Sequence, residues 1–129
     1  TDTTISRAGP ADLDALAQLF DAYRQFYGQA SDVPRARDWL RSRLRVGESV
    51  VLLAKREGTT VGFVQLYPMF SSVRTAKTWI LNDLYVDAAA RRGGIARALL
   101  EAAAKFARED GAIAVARGGE AACDVRGDE

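Results

Sequence analysis

The chain has 129 residues, nearly half of them hydrophobic, and a net charge of +1. That length suits one domain with a packed core, and near-neutrality provides no global field to draw it to nucleic acid or membrane. Histidine is absent and Cys123 is the single cysteine, which excludes Ser-His-Asp and Cys-His nucleophiles, an internal disulfide and a cysteine-rich zinc site. No metal site is expected. With no signal peptide and no apolar run long enough to span a bilayer, the expectation is a soluble cytoplasmic protein.

In chain order, "TTISRA" predicts a short strand. Residues 9–28 carry Leu13, Leu16, Phe20, Tyr23 and Tyr27 at the spacing of one helix stripe. Pro10 suits the first turn of that helix, Asp12 and Asp14 its positive end, and Gly28 its stop. A second helix is expected over 34–44, with Ala36, Leu40 and Leu44 on one side and five arginines from Arg35 to Arg45 covering the rest. "SVVLLAKR" and "TVGFVQLYP" read as the arms of a hairpin turning at "EGTT". Pro68 is expected to end the second arm, and "MFSSVRTA" to be a loop. "KTWILNDLYV" is the longest strand candidate; it is apolar on both faces and so central. Ile95, Leu99, Ala103 and Phe106 mark a third helix, ending at Gly111. "AIAVAR" is one more strand candidate. The tail 118–129 has few large apolar residues and is expected to be disordered.

Between the central strand and the third helix lies "DAAARRGGIARALL", residues 87–100. The first amides of a helix lack intrahelical acceptors, and the helix dipole makes that end positive. Gly93 and Gly94 let a ligand approach the backbone, while Arg91 and Arg92 add full charge. The expected guest is a phosphate or pyrophosphate. No Gly-Lys-Ser/Thr ending or three-glycine dinucleotide fingerprint is present. The motif on its own is also compatible with a plain helix entrance beside a solvated basic pair.

The segment "WILNDLYVDAAARRGGIARALLEAAAKFA" resembles the GNAT N-acetyltransferase superfamily. Its acyl-CoA signature, Arg/Gln-x-x-Gly-x-Gly/Ala, is matched here by Arg91, Arg92, Gly93, Gly94, Ile95 and Ala96. "FVQLYP" and the "FYG" after the first helix resemble the branch that acetylates small molecules, polyamines or histones. The resemblance covers residues 4–116. It implies an α/β (α+β) domain over residues 1–129: a mixed, mostly antiparallel sheet flanked by helices, C-terminally incomplete.

The resemblance also implies roles. The amides from Arg92 to Arg97 would hold the pyrophosphate of acetyl-CoA, with Arg91 and Arg92 near its phosphates. Leu84, Tyr85 and Val86 would offer backbone to the pantetheine arm, which docks like an added strand. The acceptor would be a small-molecule amine or a peptide lysine.

Proton transfer needs a base, because a primary ammonium has a pKa of about 10.4. Asp83 is the one acid inside the central strand. Asn82, beside it, stands where related enzymes often carry glutamate, and can orient water or an amine. Strand alternation puts the two on opposite faces unless a bulge intervenes. Asp83 can equally cap backbone or pair with an arginine. Tyr23, Phe26, Tyr27, Gln65 and Tyr67 are candidate acceptor contacts, although such residues are more often core. The arginines of the second helix read as a solvated face, with an acidic partner as the alternative.

After Gly111 the chain departs from the family pattern, and the usual tyrosine acid near Asn-x-x-Ala-x-x-Leu-Tyr does not appear. Turnover is therefore expected to be slow. The alternative reading is a catalytically impaired acyl-CoA-binding or assembly module. A sheet left with an open edge implies a homo-oligomer, by segment exchange or by edge covering.

Overall fold

The computed structural model describes residues 3–118. β1 (Thr3–Arg7) is followed by a short 3-10 turn at Pro10–Asp12, then by α1 (Leu13–Phe26) and α2 (Val33–Arg45). β2 (Val50–Arg56), β3 (Thr59–Ser71) and β4 (Ala76–Val86) form a meander, and α3 (Ile95–Glu109) leads to β5 (Ala114–Arg117). The five strands lie in sequence order in one sheet. All pairings are antiparallel except β4 with β5, which is parallel. The tail expected to be disordered lies outside the described residues from position 119 onward. No helix among the described residues is long and apolar enough to cross a membrane.

Two apolar layers clasp the sheet. On one face, Leu16, Phe20 and Tyr23 of α1 and Leu40 of α2 pack on Val51, Leu53 and Phe63. On the other, Ile95, Leu99 and Ala103 of α3 pack on Val64, Leu66 and Leu81. Each fully buried side chain of this kind contributes about 1.5–3 kcal/mol of transfer free energy. Gly62 brings α3 close to the sheet: a Cβ there would sit 3.2 Å from the Tyr85 carbonyl and 3.3 Å from both Ile95 Cγ2 and Leu99 Cδ1. The start of α3 is therefore set by backbone-level packing on β3.

Pro68 does not end β3, which runs on to Ser71 and is longer than β4. Pairing with β2 stops at Leu66, so Pro68 lies where β3 has only β4 as a neighbour. A proline is tolerated on such a strand edge. The expected loop shrinks to a turn at residues 72–75, flanked by Met69 to Ser71 on β3 and Ala76 on β4.

The β3–β4 register slips once. Gln65 faces Asp83, but Leu66 faces Leu81, so Asn82 is an extra residue on β4. This is a β-bulge, and it turns the strand by one residue.

Asp21 fixes α2 relative to α1. Its carboxylate is 3% exposed and accepts the Asp32 backbone N–H at 2.7 Å, the Ser31 hydroxyl at 2.7 Å and Gln25 Nε2 at 3.0 Å. These donors, the Asp32 amide first, hold its pKa below the ordinary carboxylate value. Asp12 is lowered by the Gly9 amide and then Lys55, and Asp110 by the Trp79 indole N–H and then Lys77.

Two outcomes follow. Gly62→Val is expected to cost about 1–3 kcal/mol through overpacking, measured by denaturant unfolding. All three aspartates are depressed in the fold, so their contribution is present above the unfolded carboxylate pKa of about 3.9 and is lost as pH falls through the lower folded values. The melting temperature should therefore drop on acidification below about pH 4. Asp21→Asn should lose about 1–3 kcal/mol at pH 7 and respond less to acid than the native chain.

Candidate active site

Asp83 is 4% exposed and Gln65 wholly buried. Asp83 Oδ1 accepts the Tyr23 hydroxyl at 2.7 Å. Its Oδ2 accepts Gln65 Nε2 at 2.8 Å and Asn82 Nδ2 at 3.1 Å. The bulge makes this cluster possible, because it brings Asn82 to the same cleft as Asp83. The carboxylate has no arginine partner among these contacts. It is held by one donor from α1, one from β3 and one from its own strand.

Above the cluster opens a cavity of about 910 Å³ whose walls include Tyr23, Tyr27, Tyr67, Trp39, Asn82 and Asp83. Arg24 of α1 and Arg35 and Arg43 of α2 also face it. The second helix is thus more than a solvated arginine face: one side of it walls this cavity. Trp39 is covered by the Arg43 guanidinium, 4.4 Å from its ring centroid, and Arg43 in turn pairs with Glu48.

A second groove of about 440 Å³ runs along Leu84, Tyr85 and Val86 to the start of α3, where Arg91, Arg92, Gly94, Ile95, Ala96 and Arg97 line it. Pairing of β4 with β5 runs from Thr78 to Leu81. Among the described residues, β4 beyond the bulge therefore has no ladder partner on that side. This is an edge that an extended chain can join. At the helix entrance the first intrahelical bond is Ala98 N–H to Gly94 O at 3.0 Å, so the amides of Ile95, Ala96 and Arg97 remain as donors. Gly94 is left-handed at φ 77°, and a Cβ there would meet nothing within 4 Å, so the space over the turn is open. Arg92 is also left-handed, at φ 72°. Amides, dipole and open space suit the pyrophosphate of a CoA thioester.

Several candidate residues take places other than those expected. Gly93 is absent from the groove lining; a Cβ on it would collide with the Arg56 guanidinium at the end of β2. Arg56 is a cation beside the turn that no local motif marks. Arg91 turns back along the strand, its Nε donating to the Val86 carbonyl at 2.8 Å and its guanidinium lying 5.4 Å from the Tyr85 ring centroid. Phe26 is 66% exposed and lines the cofactor groove, away from the acceptor cavity. Gln65 lines neither space and acts by holding Asp83. Tyr67 lines the acceptor cavity, and Tyr23 and Tyr27 line both.

Comparison with known proteins bears on the family and the fold. Residues 13–125 match the acetyltransferase (GNAT) family model. A Bacillus subtilis (strain 168) protein described as an uncharacterized N-acetyltransferase is 47% identical over 108 residues, covering 84% of this chain and 72% of its own. A probable acetyltransferase of Haemophilus influenzae is 38% identical over 96 residues, covering 74% and 66% respectively. The crystal structure of a probable acetyltransferase superposes with a TM-score of 0.86 at 43% identity, over 91% of this chain and 79% of that one. A predicted acetyltransferase of Clostridium acetobutylicum, determined with acetyl-CoA, shares the fold at a TM-score of 0.74 and 13% identity, over 92% and 81%.

The glycine turn provides a direct measurement. Gly94→Asp puts a charge where the dipole favours an anion, on a left-handed backbone. CoA affinity by calorimetry should fall at least about tenfold, and an unchanged affinity would place the pyrophosphate elsewhere.

Proposed function

Since the chain belongs to the GNAT acetyltransferase family, we propose that it moves acetyl from acetyl-CoA to a primary amine of a small molecule. The observation that carries this is the junction: Tyr23 and Tyr27 line both the β4–α3 groove and the larger cavity, and Asp83, on the cavity wall, bonds to Tyr23. A thioester lying in the groove would present its carbonyl to an amine in the cavity. The cavity volume falls in the range of small-molecule sites, about 300–1,000 Å³.

From a primary ammonium two protons leave nitrogen: one passes to solvent before attack and the other is delivered to sulfur. Asp83 attracts the ammonium and relays the first proton to water in the cavity, and the free amine attacks the thioester carbonyl. Backbone N–H groups freed along β4 beyond the bulge can stabilise the oxyanion. As the C–N bond forms Asp83 takes the second proton from nitrogen, and the C–S bond then breaks. Tyr23 bonds to Asp83 and faces the groove, so it can protonate the departing thiolate and recover a proton from Asp83. This relay would supply the acid that the sequence after Gly111 does not offer in the family's usual pattern.

The test is release of free CoA thiol from acetyl-CoA with a panel of primary amines. Asp83→Asn should lower kcat by about 10²–10⁴, and Tyr23→Phe should lower kcat more than it raises KM. Absence of thiol release with every amine, while CoA still binds, would overturn acetyl transfer and leave an acyl-CoA-binding module.

A further inference from the structure

The acceptor cavity contains a cation with unused hydrogen-bonding capacity. Arg24 Nη1 is buried and has no hydrogen-bond partner among the described residues. Asp21 senses the Arg24 charge, but its own oxygens are taken by Asp32, Ser31 and Gln25. The other charges on the walls are paired, capped or open to water. Arg43 pairs with Glu48 and Asp38 with Arg41, Asp32 caps α2 by accepting the Arg35 amide at 3.2 Å, Arg35 itself is exposed, and Asp83 is held by its three donors. A guanidinium nitrogen shut away from water without an acceptor is costly. In a cavity that admits a ligand, the group able to relieve that cost is an oxyanion on the ligand.

We propose that the acceptor is a small primary amine that also carries an oxyanion, a carboxylate or phosphate, held by Arg24 while the amine faces Asp83. This rests on the acetyl-transfer reading and adds a substrate class to it. The sequence of α1 supports the arrangement. Tyr23 and Arg24 are adjacent, so the residue bonded to Asp83 and the residue offering the cation move as one unit of the helix. An ammonium drawn to Asp83 and an oxyanion drawn to Arg24 would fix the acceptor at two points. That geometry aligns the amine before attack.

The experiment compares matched amines: one with a carboxylate, one with a phosphate monoester, and one with a neutral amide in the same place. In the native chain, kcat/KM should favour the charged members over the amide by about tenfold or more, the worth of one charge-assisted hydrogen bond. Carboxylate and phosphate arms then rank the two oxyanions. In Arg24→Met the ratio should collapse toward one through KM. Arg24→Lys, which keeps the charge but loses the fork, should fall between. Because the ratio is taken within each variant, partial misfolding does not mimic the result.

Thermal shift of the CoA-loaded chain with the same compounds gives a second readout. Charged members stabilising the native chain but not Arg24→Met would uphold the oxyanion site even if no acetyl were transferred. Equal kcat/KM for charged and neutral amines in the native chain would overturn it and leave acetyl transfer standing. If nothing turned over, equal thermal shifts would overturn it.

Discussion

The bulge at Asn82 is the constraint on which both halves of the site depend. A regular β4 would put Asn82 and Asp83 on opposite faces of the sheet, and could not keep both Leu81 and Val86 in the core against α3. The extra residue shifts the strand's phase instead, so that Asn82, Asp83 and Tyr67 share one cavity. Pairing with β5 reaches only as far as Leu81, the residue before the bulge. One irregularity therefore gathers the polar cluster around Asp83 and frees the strand edge that lines the β4–α3 groove. Bulges near active sites serve in just this way, re-aiming a side chain and ending a ladder.

The link between the halves is aromatic. Tyr23 contacts Phe20, Tyr27, Phe63 and Tyr85 at centroid distances of 5.3–5.9 Å, mostly edge-on. Such contacts add about 0.5–1.5 kcal/mol each beyond burial. They fix the Tyr23 ring so that its hydroxyl reaches Asp83 across 60 positions of sequence. A buried carboxylate without those donors would be strongly destabilising. The cluster is thus structural and chemical together, and its aromatic members cannot be assigned to core or site alone.

What was legible in the sequence was what is local. Apolar spacing marked α1, α2 and α3, and the "RRGG" run marked a helix entrance, because both signals lie within one or two turns of chain. Pro68 misled because its cost depends on where β2 stops pairing, which is a property of the neighbouring strand. The role of Gln65 was hidden for the same reason, since its partner lies 18 residues away on β4. Arg56 could not be tied to the glycine turn before the end of β2 was known to lie beside it. Nothing in the local sequence singles out Arg24; the burial of its Nη1 beside the cavity is a property of the fold.

The two halves are also held by different physics. The start of α3 is seated by close packing on Gly62, where a single methyl group meets atoms at 3.2–3.3 Å. Such contacts permit little change, as suits a groove that must fit one cofactor. The α1–α2 pair is joined instead through Asp21 and its three polar donors at the chain's turn. Of the α2 side chains that face the cavity, Ala36 belongs to the core, but Arg35, Trp39 and Arg43 lie outside it. They can be exchanged without disturbing the sheet or the Tyr23–Asp83 link. If the cavity takes the acceptor, as proposed, its choice is written on a wall separable from the floor at Asp83.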